Sequence, residues 1–166
     1  MAIGKFFETA RRQKWFENTI FVLTSDHTNM SDHKEYQTDL GGFCSPIIIY
    51  DPQKPEGEIL DKIAQQIDIM PTVLGMLGYQ KPYLAFGIDV LNTPAEDTWA
   101  VNYLNGVYQY VKHGEVIRFD GREGVRSQES GDRRQETGVR RQEMERVLKA
   151  IIQQYMERMT QDRLKP

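Results

Sequence analysis

The apolar positions of the chain change period along its length. Phe6, Phe7, Ala10 and Trp15 recur at roughly helical spacing, with Lys5, Arg11, Arg12 and Lys14 off that face, so residues 4–15 read as a helix with a core-facing stripe. No Ser, Thr, Asp or Asn precedes it as a cap, and the helix reads as cut within its length. Glu17-Asn18 marks a turn. Thr19 to Thr24 is a β-branched, apolar run whose two faces are both apolar, the pattern of a central strand in a parallel-type unit. Residues 28–42 are polar and end in Gly41-Gly42, and Pro46 to Tyr50 is a second buried strand, stopped by Asp51-Pro52.

Helical spacing returns over Ile59 to Ile67. A second helix follows, with Asp68 as its cap, Pro71 in its first turn and Gly78 at its end. Trp99 to Tyr103 reads as a strand. Gly106 to Val111 and Glu115 to Phe119 flank Lys112-His113-Gly114 as a β-hairpin, which puts His113 at the surface. Beyond Gly121 the chain is almost wholly polar, with a loose echo between residues 124–129 and 138–143, and reads as a mobile linker over 121–142. Residues 143–166 close the chain as an amphipathic helix. Its apolar face carries Met144, Val147, Leu148, Ile151, Ile152, Tyr155 and Met159 and needs a partner, either the sheet of this chain or a second copy.

Composition narrows the class. Hydrophobic residues make up 39% of the chain, enough for a modest core. No apolar run approaches the ~18 residues of a membrane-spanning helix, so the chain itself reads as soluble. A net charge of −3 argues against nucleic acid as a partner. In the linker the arginines are nearly balanced by glutamates, which favours a solvated segment over an anion-binding one. The single cysteine, Cys44, excludes an internal disulfide and reads as a small semi-buried residue.

The candidate chemistry lies in Thr24-Ser25-Asp26-His27-Thr28-Asn29. Residues just past the end of a buried strand are rigidly held and accessible to a substrate. Asp26 offers a hard carboxylate oxygen and His27 an imidazole nitrogen, a pairing suited to Mn²⁺ or Zn²⁺. Two neighbours do not complete a coordination sphere, which needs about four ligands. His33 and Asp39 are nearby candidates, and a solvated loop pair is the plainer reading of Asp26-His27 taken alone.

The order of blocks adds to this. Trp15-Phe16-Glu17-Asn18-Thr19-Ile20-Phe21-Val22-Leu23-Thr24-Ser25-Asp26-His27 resembles the last metal-binding strand of the sulfatase and alkaline-phosphatase superfamily. Pro46-Ile47-Ile48-Ile49-Tyr50-Asp51-Pro52 resembles its next strand, Ile67-Asp68-Ile69-Met70-Pro71-Thr72-Val73-Leu74 a helix start, and Phe86-Gly87-Ile88-Asp89-Val90 a later turn. The resemblance covers about residues 4–120 and is nearest to the lipoteichoic acid synthase-like branch, the phosphoglycerol transferases. It implies an α/β fold: the C-terminal part of an alkaline-phosphatase-like mixed sheet with flanking helices, an antiparallel hairpin and a terminal helix. Residues 1–120 would form the C-terminal portion of the catalytic domain, and the chain would be a C-terminal fragment inactive alone.

The resemblance further implies a divalent metal, Mn²⁺ first and Zn²⁺, Ca²⁺ or Mg²⁺ as alternatives, held in part by Asp26 and His27. It implies a Thr nucleophile upstream of this sequence, so that no catalytic nucleophile is assigned here, and makes His33 a candidate for contacting the substrate head group. Thr24, Ser25 and Thr28 would support the metal ligands by hydrogen bonds. The parent would be membrane-anchored with an extracytoplasmic catalytic domain and a lipid-linked phosphoglycerol substrate. Its partners would be the missing N-terminal part of that domain and a second copy through exposed apolar faces. The rival expectations are a sulfuric-ester hydrolase, a phosphoethanolamine transferase, and a non-catalytic binding module from a truncated gene.

Overall fold

The computed structural model describes residues 2–27, 32–121, 126–128 and 137–164. The expectations placed on Thr28 and on most of the 121–142 linker lie outside the described residues. The chain divides into two compact units, Met1–Leu60 and Asp61–Pro166.

The first unit runs through helix α1 (Ala2–Ala10), strand β1 (Phe21–Thr24) and strand β2 (Ile47–Tyr50). β1 and β2 pair antiparallel, Phe21 opposite Tyr50 and Thr24 opposite Ile47. This corrects the parallel-type unit expected here. A parallel return needs a crossover, usually helical, whereas the described part of the connection holds only the 3-10 turns Lys34–Gln37 and Gly41–Phe43. The core of the unit is aromatic. Ala10, Phe16 and Phe21 are buried with Phe7, Leu23 and Tyr50 against them, and the Phe7 and Phe16 rings lie 5.1 and 5.3 Å from that of Phe21. Only part of the expected stripe is core. α1 stops at Ala10, which puts Trp15 out of phase with the helix, and Trp15 and Phe6 remain 46% and 53% exposed. Cys44 is also exposed, not semi-buried.

The second unit contains helix α2 (Ile69–Met76) and an antiparallel four-stranded sheet in the order β3 (Ala100–Leu104), β4 (Val107–Lys112), β5 (Glu115–Phe119) and β6 (Arg126–Gln128). Helix α3 (Thr137–Thr160) closes it and begins within the stretch expected as linker. Met144 and Leu148 of α3 meet Tyr110 of β4 and Ile117 of β5 to form a buried cluster, so the apolar face of α3 packs on the sheet of its own chain from Met144 to Ile152, while Tyr155 and Met159 stay exposed. The β4–β5 turn holds His113 and Gly114 at φ of 53° and 74°, as a tight two-residue hairpin requires, and His113 is exposed as expected.

The helix expected over Ile59 to Ile67 is absent; only Gln66–Asp68 turns, as 3-10. The reason lies in where its polar groups go. Ile63 N donates to Thr98 Oγ1 at 3.2 Å and Gln65 N to Asp68 Oδ2 at 3.0 Å, both outside a helical ladder. Ile59 is fully exposed, so the apolar periodicity here buries little. The Gln65 carboxamide reaches the outer edge of β3, accepting from Val101 N at 3.0 Å and donating to Trp99 O at 3.2 Å. α2 ends as expected at Gly78, whose φ of +64° lets Tyr79 N reach Leu74 O at 3.0 Å.

Candidate metal centre

β1 ends at Thr24, and the chain leaves the strand through Ser25 into Asp26 and His27. Both side chains of the pair stand in solvent, His27 64% and Asp26 85% exposed. Asp26 Oδ1 accepts from the His27 backbone N–H at 2.9 Å, and Oδ2 lies 3.4 Å from His27 Nε2. A hard carboxylate oxygen and an imidazole nitrogen thus sit on one short backbone step, held toward each other by a local turn. The Thr24 hydroxyl donates to Ser25 O at 3.2 Å and supports the loop backbone; this bond does not reach either candidate ligand.

The two other candidates lie further along the loop. His33 is exposed and sets its ring edge-on to Tyr36, with the centroids 6.3 Å apart. Asp39 is exposed in the turn before Gly41. Among the described residues no group of three or more His, Cys, Asp or Glu side chains converges as a metal cage. The donor chemistry of Asp26 and His27 therefore fits a divalent metal, and the number of donors is that of a partial site.

Asp68 does not cap α2 with its side chain, in contrast to the expectation. It is 1% exposed, and its carboxylate accepts from Gln65 N at 3.0 Å and from Ile88 N at 2.8 Å. It clamps the Phe86-Gly87-Ile88 turn to the approach of α2. Gly87 is required there, because a β-carbon would collide with the Ile67 carbonyl and stand 2.6 Å from Asp68 Oδ1. Thr72 continues the clamp, its hydroxyl accepting from Val90 N at 3.1 Å. Burial raises the Asp68 pKa above its ordinary 3.8, opposed by the two N–H bonds. Sequence reasoning missed this clamp, together with the roles of Lys62, Gln65 and Thr98, since each acts on backbone roughly 30 residues or more away.

Residues 1–79 match the sulfatase family model. The chain is 29% identical over 118 residues to an arylsulfatase of Clostridium perfringens, a match covering 65% of this chain and 24% of that protein. It is 28% identical over 100 residues to a multifunctional alkaline phosphatase superfamily protein of Trinickia caryophylli, covering 57% of this chain and 20% of that one. The chain thus spans about a quarter or less of the length of these curated relatives. A solved protein of the alkaline phosphatase superfamily from Vibrio parahaemolyticus shares the fold with a TM-score of 0.67 and 24% identity, over 78% of this chain and 32% of that one.

Proposed function

From the membership of the sulfatase and alkaline-phosphatase superfamily that the family match, the relatives and the fold support, we propose that this chain supplies two ligands, Asp26 and His27, to a divalent-metal centre acting on sulfuric or phosphoric esters. The observation that carries the reading is positional. Of the two adjacent Asp-His pairs of the sequence, Asp26-His27 and Asp32-His33, both inside the matched segment, Asp26-His27 is the one that stands exposed just past the end of β1.

A bound divalent metal would polarise an ester oxygen and favour the deprotonated form of an attacking hydroxyl. Asp26 contributes negative charge and a hard oxygen to it. His27 contributes a nitrogen when neutral, and its backbone N–H holds Asp26 Oδ1 while Oδ2 lies beside the ring nitrogen. His33 is the candidate to meet the substrate head group. No hydroxyl of this chain matches the nucleophile of the resemblance, so the nucleophile is not assigned to residues 1–166.

The arylsulfatase relative favours hydrolysis of a sulfuric ester. The order of the four sequence blocks favours a second reading, Mn²⁺-dependent phosphoglycerol transfer by a membrane-anchored, extracytoplasmic parent. Among the described residues no helix is long and apolar enough to cross a membrane.

Paramagnetic broadening by Mn²⁺ tests the site. The amide signals of Asp26 and His27 should broaden first, without tight stoichiometric binding, because two ligands leave the sphere short of four. His27→Ala should abolish the effect. Broadening confined to other parts of the chain would refute the assignment. In a longer protein carrying this sequence, His27→Ala should lower kcat about 100-fold or more. An aryl sulfate and a glycerophosphoryl ester assayed side by side then separate the two readings.

A further inference from the structure

Lys62 Nζ donates to three main-chain carbonyls, Val90 O at 2.9 Å, Leu91 O at 3.2 Å and Thr93 O at 2.8 Å. An ammonium carries three donors, and all three are used on backbone oxygen. The acceptors belong to one tight turn. Asp89 Oδ1 accepts from Leu91 N at 3.1 Å and Asn92 N at 3.3 Å, and Asp89 Oδ2 from Asn92 Nδ2 at 2.8 Å. Asp89 O accepts from Thr93 N at 2.9 Å and from the Thr93 hydroxyl at 2.6 Å. The turn therefore has an acid at its donor end, and its carbonyls converge at the other end.

Convergent backbone carbonyls are a ligand set for a bare cation, since each dipole replaces part of a hydration shell. We propose that the carbonyls of Val90, Leu91 and Thr93 form a monovalent-cation site that Lys62 fills from within the chain, and that removal of this ammonium makes the turn take up ammonium or potassium ion instead. The anchoring of the stem fits this role, because Ile63 N, one residue on, is fixed to Thr98 Oγ1 at 3.2 Å. The same turn is held at its start by Asp68 and Thr72, so the cation holds its far end.

Lys62→Met keeps the methylenes of the stem and removes the charge. Thermal unfolding of wild type and Lys62→Met is compared in choline, potassium and ammonium chloride at equal ionic strength. The wild type should show the same difference among the salts as any salt effect on the solvent produces. Lys62→Met should lose roughly 5 °C or more in choline and regain at least half of that loss in potassium or ammonium beyond the wild-type change. A variant as stable as wild type in choline, or equally destabilised in all three salts, overturns the proposal. If Lys62→Met does not fold, the wild type decides it through amine acetylation with peptide mapping. Lys62 should react at least tenfold more slowly than the exposed Lys5 and Lys54, in choline as in potassium, and equal reactivity overturns the proposal.

Discussion

Removing the Asp68 carboxylate, itself 1% exposed, leaves two partly buried backbone donors, Gln65 N and Ile88 N, without their acceptor. Asp68→Ala should therefore cost about 2–6 kcal/mol, since each unsatisfied buried donor costs about 1–3 kcal/mol; chemical denaturation measures it. The carboxyl also carries a pH signature. Its pKa is raised in the folded chain, so the stability it contributes is fully present below the ordinary value of 3.8 and is lost as pH rises through the folded value. Asp68→Asn should flatten the acid limb of the stability profile in that window. At this scale the sequence was legible where the signal is local. Asp26-His27 stands where the end of an apolar strand puts it. Asp68 looks like a cap because an isolated acid precedes an apolar helix, and its true partner, Ile88, lies 20 residues on with no local mark.

Elements with a sustained period were legible, and their partners less so. α3 shows its face through Met144, Leu148 and Ile151, and that face packs on β4 and β5. Leu148 has no exposed surface, so Leu148→Ala should lower the stability of this unit by about 3–5 kcal/mol, read from the exchange rates of β4 and β5 amides. A loss under 1 kcal/mol would mean that the helix does not sit on the sheet. The β4–β5 hairpin was equally readable from its turn residues. The direction of β2 against β1 was not, because side-chain alternation is the same in parallel and antiparallel strands. Ile59 to Ile67 has helical spacing without helical burial, and the Thr98 hydroxyl, from a distant segment, takes the Ile63 donor.

At the scale of the molecule, each unit has its own core: an aromatic one around Phe16 and Phe21, and one under α3 that joins Met144 and Leu148 to Tyr110 and Ile117. The second contains a titratable group. Tyr110 is 1% exposed, and burial, with Glu143 adding to it, pushes its pKa up to about 12 from 10.0. The folded chain thus holds the phenolic proton more tightly than the unfolded one. Its stabilising contribution is complete below pH 10 and lost between about 10 and 12, amounting to about 3 kcal/mol at 1.36 kcal/mol per unit. Tyr110→Phe should remove that alkaline slope relative to wild type in pH-dependent unfolding; an unchanged slope would show that the phenol does not ionise at a cost. The overall fold class was legible because the order of strand and helix periods survives even when single elements are misassigned. The match of residues 1–79 to the sulfatase family model was legible because short blocks recur in order.

The carboxamide of Gln65 has one more consequence. An end strand of a sheet displays alternating donors and acceptors that any extended segment of another molecule can match. Gln65 presents the same donor–acceptor pair as a peptide group and lays it on Val101 and Trp99, where an incoming strand would begin. One side chain thereby acts as a decoy strand a single residue long. It occupies the first donor and acceptor of the β3 margin without the charge or proline by which edges are commonly guarded.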